Sequence, residues 1–231
     1  MANEPLKRDL ETTRKVQLIR RVVRTRLRRQ ATDLIDDFTH VERVWNNARF
    51  LAAGEFRRSQ TSVDGDILEA TILLHVDVPQ IYSERDTPKK RIITHAEEML
   101  HEHELSHLVW PVCDALSSFM QEPDEGRPYS NEAALAHDAD LLDDLGAVGI
   151  MRAALTTAGA AVPELYDVDD PAAVHRSLDA SSFAIDAVPL RVERGRGCML
   201  TASGKAEAQR RSLLMEGFYR EFLLNCDMLP G

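Results

Sequence analysis

Apolar residues recur at helical spacing along nearly the whole 231-residue chain, and no segment alternates convincingly with the period of two that a strand needs. In LIDDFTHVERVWNNARFLAAGE, the residues Leu34, Phe38, Val41, Val44 or Trp45, Ala48 and Leu51 fall on one face. DGDILEATILLHV is shorter and apolar almost all round, the pattern of a deeply buried helix, with Asp64 or Asp66 placed to cap it. PKKRIITHAEEMLHEH opens on a proline, which suits a first turn, and LSHLVWPVCDALSSFM follows with Ser106 as its candidate cap. NEAALAHDADLLDDLGAVGIMRAAL reads as one helix in which Gly146 and Gly149 mark close helix–helix approach rather than a break. SGKAEAQRRSLLMEGFYREFLLN reads as a long closing helix capped by Thr201 or Ser203. QEPDEGRPYS and GAAVPELYDVDDPAAVHRS read as loops, and only LRVERGRGCML, near 190–200, offers a short β-hairpin. The expected fold class is all-α.

Hydrophobic residues make up 44% of the chain, enough for one sizeable core. Charge is unevenly spread. Residues 1–30 hold ten Lys or Arg against Glu4, Asp9 and Glu11, a balance of +7, so the net −10 leaves −17 for the rest. Val16, Ile19, Val23 and Leu27 form one stripe of this basic segment, which is expected to dock on the acidic body. The expected organisation is a basic helix over 1–30, packed on or extending a helical domain over 31–231. No aromatic residue interleaves the arginines, which disfavours nucleic acid as a partner. No apolar run approaches the roughly 20 residues of a membrane span, so no membrane partner is expected. MANEPLKRDLETTRK lacks the apolar core of a secretion signal. Cys113, Cys198 and Cys226 are far apart with no CxxC spacing, which reads as reduced thiols in a cytoplasmic protein.

Three motifs occur in order. HVERV places His40 three residues before Arg43; LLHVDV ends the buried helix on His75; HDADLLDDLGAVGI carries Asp138 and Asp140. Together they resemble the HD superfamily of metal-dependent phosphohydrolases, an all-α fold. Its members carry a His on an early helix, an adjacent His-Asp pair ending a buried helix, and a distant Asp on a later one. The wording is closer still to the small bacterial HD-domain hydrolases, which read H-x-x-R-V, L-L-H-D and D-A-D-R-L-D-x-L-G-A-x-G-I-x-R. DADLLDDLGAVGIMR matches the last signature nearly throughout, and ELYDVDDP and TASGKAEAQRRSLLMEGF resemble the family's late loop and terminal helix. The resemblance runs from Asp37 to Phe218 and implies an HD-domain bundle. It also implies a divalent cation (Mn²⁺, Fe²⁺ or Mg²⁺) held by His40, His75 and Asp140, with open positions for water and a phosphate oxygen. The substrate is then a small phosphorylated or nucleotide-like metabolite, and Arg43 orients its phosphate or pairs with a carboxylate behind the ligands. Asp138 is left as a cap or an acceptor behind the ligands, and Asp143 and Asp144 as a solvated helix face.

Where the family pairs its histidine with Asp, this chain has Val76, which has no lone pair to give a metal. Asp77 is the obvious substitute, but one residue of helix turns a side chain by about 100°, so it serves only if the helix has already ended. Pro79 favours such an ending by biasing Val78 toward extended backbone. Losing a carboxylate weakens the site for a hard cation. Ser117 and Ser118 also stand where relatives often place a further His. Both departures describe a degenerate active site.

Three other readings follow from the residues. His103, Glu104 and His107 spell H-E-x-x-H, which on one continuous helix binds zinc, with Glu132 as a formal third ligand. Zinc peptidases build that cleft against a sheet this sequence does not supply, and the HD alignment places a turn near Leu105 and Ser106. Alternatively, His40, His75 and Asp140 act without metal as general acid and base, in a lyase, isomerase or cyclase. Finally, the chain is a non-catalytic interaction protein working through its basic helix. A homodimer is open too, since LLMEGFYREFLL serves a dimer seam as readily as a core stripe.

Overall fold

The computed structural model describes residues 4–29, 38–76, 87–120, 129–158 and 164–227. In chain order its elements are β1 (Leu6–Lys7), α1 (Leu10–Arg29), α2 (Phe38–Ser59), β2 (Val63–Asp64), α3 (Gly65–Leu74), α4 (Pro88–Glu102), α5 (Ser106–Phe119), α6 (Asn131–Asp143), α7 (Gly146–Ala158), a 3₁₀ turn (Ala184–Asp186), α8 (Ala187–Gly197) and α9 (Ala202–Asp227). Helix dominates, and the strands are two residues each, pairing in parallel with Leu6 opposite Val63. The chain divides into two compact units, Met1–Asp140 and Leu141–Gly231. Among the described residues no helix is long and apolar enough to cross a membrane.

In the first unit α3 is central: every residue from Gly65 to Leu74 except Ile67 is buried, and α1, α2, α4 and α5 all pack against it. Asp64 caps it, its Oδ1 accepting from the Asp66 and Ile67 amides at 2.9 and 3.0 Å. Such a helix should be wholly apolar, yet it buries two carboxylates, Asp66 and Glu69. The N-terminal segment satisfies both. Arg8 bridges them at 3.0 and 2.6 Å, Asp9 N and Thr13 Oγ1 donate to Asp66, and Gln17 and Arg20 donate to Glu69 at 2.8 Å. Thr12, Val16, Ile19, Val23 and Leu27 form the buried stripe of α1, while Leu10, Arg14, Leu18, Arg21, Arg28 and Arg29 face outward.

Helix α4 ends close to the turn expected near Leu105 and Ser106, though no glycine marks the place. Glu104, at φ 57°, takes the left-handed conformation usually left to glycine. Its amide donates to His101 O at 3.0 Å and the Leu105 amide to Leu100 O at 2.8 Å, with both leucines fully buried. Those two backbone hydrogen bonds close the end of the helix. Ser106 is the first residue of α5 rather than its cap, and its hydroxyl meets His101 Nδ1 at 3.1 Å.

The second unit corrects three expectations. The run from Asn131 to Leu155 is not one helix: Gly146 sits at φ 75° and the chain turns there. Gly149 then lies against that turn, where a Cβ would stand 2.0 Å from Asp144 O, so the close approach is backbone on backbone. Asp143 and Asp144 are no solvated face: Asp143 is buried and ion-paired with Arg152 at 3.3 Å, and Asp144 binds Arg152 and Arg191. Nor is there a hairpin near 190–200. Val188, Val192 and Gly195 are buried at helical spacing in α8, and Gly195 lets that helix press onto Leu145. Since a Cβ at Gly195 would lie 2.6 Å from Leu145 Cδ1, Gly195→Ala is expected to cost about 1–3 kcal/mol, read as a lower urea midpoint at unchanged slope.

The late loop folds around Arg176, which pairs with Asp167 and Asp186 and lies 4.5 Å over the Phe183 ring. Thr201 caps α9, accepting from the Gly204 amide at 2.9 Å. Met215 is buried on α9, whereas Leu213, Leu214, Phe218 and Leu224 are exposed.

Candidate metal centre

Three elements of the first unit deliver one donor atom each. His40 stands in the first turn of α2 and is buried; His75 caps the C-terminal end of α3; Asp140 lies near the end of α6 with its carboxylate a third exposed. His40 Nε2 is 3.4 Å from His75 Nε2 and 3.3 Å from Asp140 Oδ1, and His75 Nε2 is 3.8 Å from the same oxygen. Sequence reasoning named all three, and the structure brings them together. A partly exposed carboxylate beside two buried imidazoles gives the cluster one open side.

The imidazole of His75 is held in one orientation. Its Nδ1 lies 2.6 Å from the Ile72 carbonyl, an atom that can only accept, so Nδ1 carries the proton and Nε2 presents its lone pair to the cluster. The Phe119 ring packs on His75 at 5.2 Å between centroids and on His137 at 6.3 Å, backing the site with an aromatic wall. Neither support was singled out in the sequence. The Ile72 contact follows from the place of His75 at a helix end, where the carbonyl three residues back is free; Phe119 gave no comparable signal.

The donor set fits a divalent cation. A point equidistant from the three atoms lies about 2.0 Å from each, the length of a metal–imidazole or metal–carboxylate bond. His40, His75 and Asp140 also form a group of His and carboxylate ligand atoms lying within 4.8 Å of one another. Val76 follows His75 in a bend, half-buried, and supplies no fourth donor. Asp77 lies outside the described residues, as do Pro79 and most of QEPDEGRPYS.

Arg43 is one turn beyond His40, with Nη1 donating to Thr39 Oγ1 at 2.9 Å. Asp138 is fully buried, its Oδ1 3.2 Å from Nδ1 of His137, a ring outside the cluster of His40, His75 and Asp140. Ser118, one of the two serines in the place of an expected His, is fully buried, and its hydroxyl finds no partner among the described residues. Burial pushes the Cys113 thiol on α5 up to about 11, so it stays protonated and unreactive at neutral pH.

The H-E-x-x-H reading fails on geometry. His103 ends α4 and His107 belongs to α5, on opposite sides of the left-handed Glu104, so they do not share a helical face. His103 Nδ1 donates to Met99 O at 2.9 Å, His107 Nε2 is 3.3 Å from Thr12 Oγ1, and Glu104 pairs with Lys15 at 3.1 Å. Glu132 is engaged elsewhere, accepting from the Asp64 amide at 2.9 Å.

No protein-family model matches the sequence, and no curated protein matches it either. Solved structures do. Bacillus subtilis YpgQ in complex with ADP aligns at TM-score 0.67 and 22% identity, covering 96% of this chain and 98% of that one. An HD-superfamily hydrolase from Bacillus thuringiensis aligns at 0.65 and 25% identity, covering 94% and 99%. The Lin1889 protein from Listeria innocua aligns at 0.66 and 17% identity, covering 95% and 99%. End-to-end agreement with these bundles and the order of the three motifs lead to one conclusion: this chain has the fold of the HD-superfamily proteins it matches, with a dyad that reads His75-Val76.

Proposed function

We propose that the protein is an HD-type hydrolase acting on a small phosphorylated or nucleotide-like metabolite, with a divalent cation held by His40, His75 and Asp140. The convergence of those three donors on one point carries this reading. The likeness to an HD-superfamily hydrolase and to a protein crystallised with ADP supports the substrate class. A cation bound there supplies a water of lowered pKa and offsets charge developing on phosphoryl oxygens. The chain's own residues do the rest. The Ile72 carbonyl fixes the His75 tautomer, so no proton is lost from that ring when it serves as a ligand. Buried His40 holds its ring away from bulk water, and Asp140, a third exposed, marks the side from which substrate enters. Arg43 orients the phosphate.

Protein purified without chelator should carry about one Mn²⁺ or Fe²⁺ per chain after loading, and His75→Ala should carry none, by elemental analysis of the dialysed protein. Hydrolysis that persists in EDTA but disappears in His40→Ala would instead establish metal-free acid–base chemistry on the same three side chains.

A further inference from the structure

We infer that the outer face of α9 is an interface between two copies of this chain, packed antiparallel about a two-fold axis at Gly217. Such a dimer needs neither the cation nor the reaction proposed above. Helix α9 carries apolar residues on two opposite sides. Ala208, Ser212 and Met215 are buried where it packs on α7 and α8. On the other side Leu213, Leu214, Gly217, Phe218, Glu221 and Leu224 lie three or four residues apart, and all are exposed. The three leucines are 59%, 50% and 53% exposed. A helix that is apolar on both sides is stable in water only when both are covered.

Gly217 sits in the middle of that outer stripe. Glycine weakens a helix interior, and at Gly149 and Gly195 its cause is internal, since a Cβ there would strike a neighbour. At Gly217 a Cβ would meet nothing within 4 Å, so the packing of a single copy does not call for glycine. The close approach of a second helix does. Phe218 beside it is already held: its ring lies 6.3 Å from that of Phe222, which meets Tyr166 at 5.6 Å. An aromatic anchor with little side-chain freedom left to lose suits the centre of an interface. Charge then selects the occupant. Arg210, which also pairs with Glu207, stands seven residues before Gly217, and Glu221 stands four after it, both exposed on the same stripe. Parallel helices would set like charges together. Antiparallel helices crossing at Gly217 bring Arg210 of one copy to about 4.5 Å along the axis from Glu221 of the other, within reach of its side chain. The two-fold makes this pair twice, so the face is complementary to itself.

Sedimentation velocity of the full chain over a wide concentration range tests this directly, and a monomer–dimer equilibrium is expected. Leu214→Glu, at an exposed position, should weaken association by about tenfold or more while circular dichroism shows the same helix content. Arg210→Glu alone and Glu221→Arg alone should each weaken it about tenfold, because like charges then face each other across the axis. An equimolar mixture of those two variants should associate as the wild type does, since both opposite-charge pairs are restored in the mixed dimer. A chain that stays monomeric at the highest concentration overturns the inference. So does a dimer that survives Leu214→Glu, or a pair of charge variants that does not recover on mixing.

Discussion

A chain that starts at Phe38 is expected not to fold. Val16, Ile19 and Val23 are wholly buried, so removing α1 strips the apolar cover from the neighbouring α2 and α3. The electrostatic loss is larger. Asp66 and Glu69 are buried on α3 and, among the described residues, accept six hydrogen bonds, all from residues 8–20. Without those donors two carboxylates are stranded in the interior of the helix that carries His75. Breaking one buried ion pair costs about 3–5 kcal/mol, a large part of the 5–15 kcal/mol that holds a domain together. The truncated chain should therefore show no cooperative thermal transition by circular dichroism. Glu69→Ala, which takes from Arg8 and from Arg20 one of two carboxylate partners each, should be destabilised by about 1–3 kcal/mol in urea. A truncated chain that melts cooperatively near the full-length temperature would restore the picture of a detachable interaction arm.

The second large effect is a gain. Val76→Asp returns a carboxylate to the place next to His75, where the HD pattern has one. A second carboxylate raises the affinity of an oxygen-seeking cation through both charge and ligand number. We expect Mn²⁺ and Mg²⁺ to bind more tightly by about tenfold or more in equilibrium dialysis. Adding His75→Ala to this variant should remove the gain, because the new carboxylate has no partner imidazole. Val76 is half-buried in a bend after α3, so an Asp of similar size is expected to be tolerated. Unchanged affinity in a folded Val76→Asp protein would mean that this side chain points away from the cluster, and the placement of the site would need revision.

Much of this protein was legible without coordinates. Helical periodicity is a local property, so the all-α class and the buried stripe of α1 could be read directly. The cluster of possible ligands was also readable, because His40, His75 and Asp140 each sit in a motif with its own spacing. What the sequence could not decide were events in which a distant residue overrules a local preference. LRVERGRGCML looks like a hairpin until Leu145 claims the flank of Gly195 and Arg191 binds Asp144. Asp143 and Asp144 look solvated until Arg152 and Arg191 arrive from other helices. In HEHELSH the turn expected near Leu105 and Ser106 is present, but its left-handed residue is Glu104, where no glycine marks it, and it parts His103 from His107. Periodicity and motif order are written along the chain, where neighbours in sequence suffice to read them. Helix ends, ion-pair partners and the convergence of three donors within 4.8 Å depend on which distant groups meet, and only the folded chain decides that.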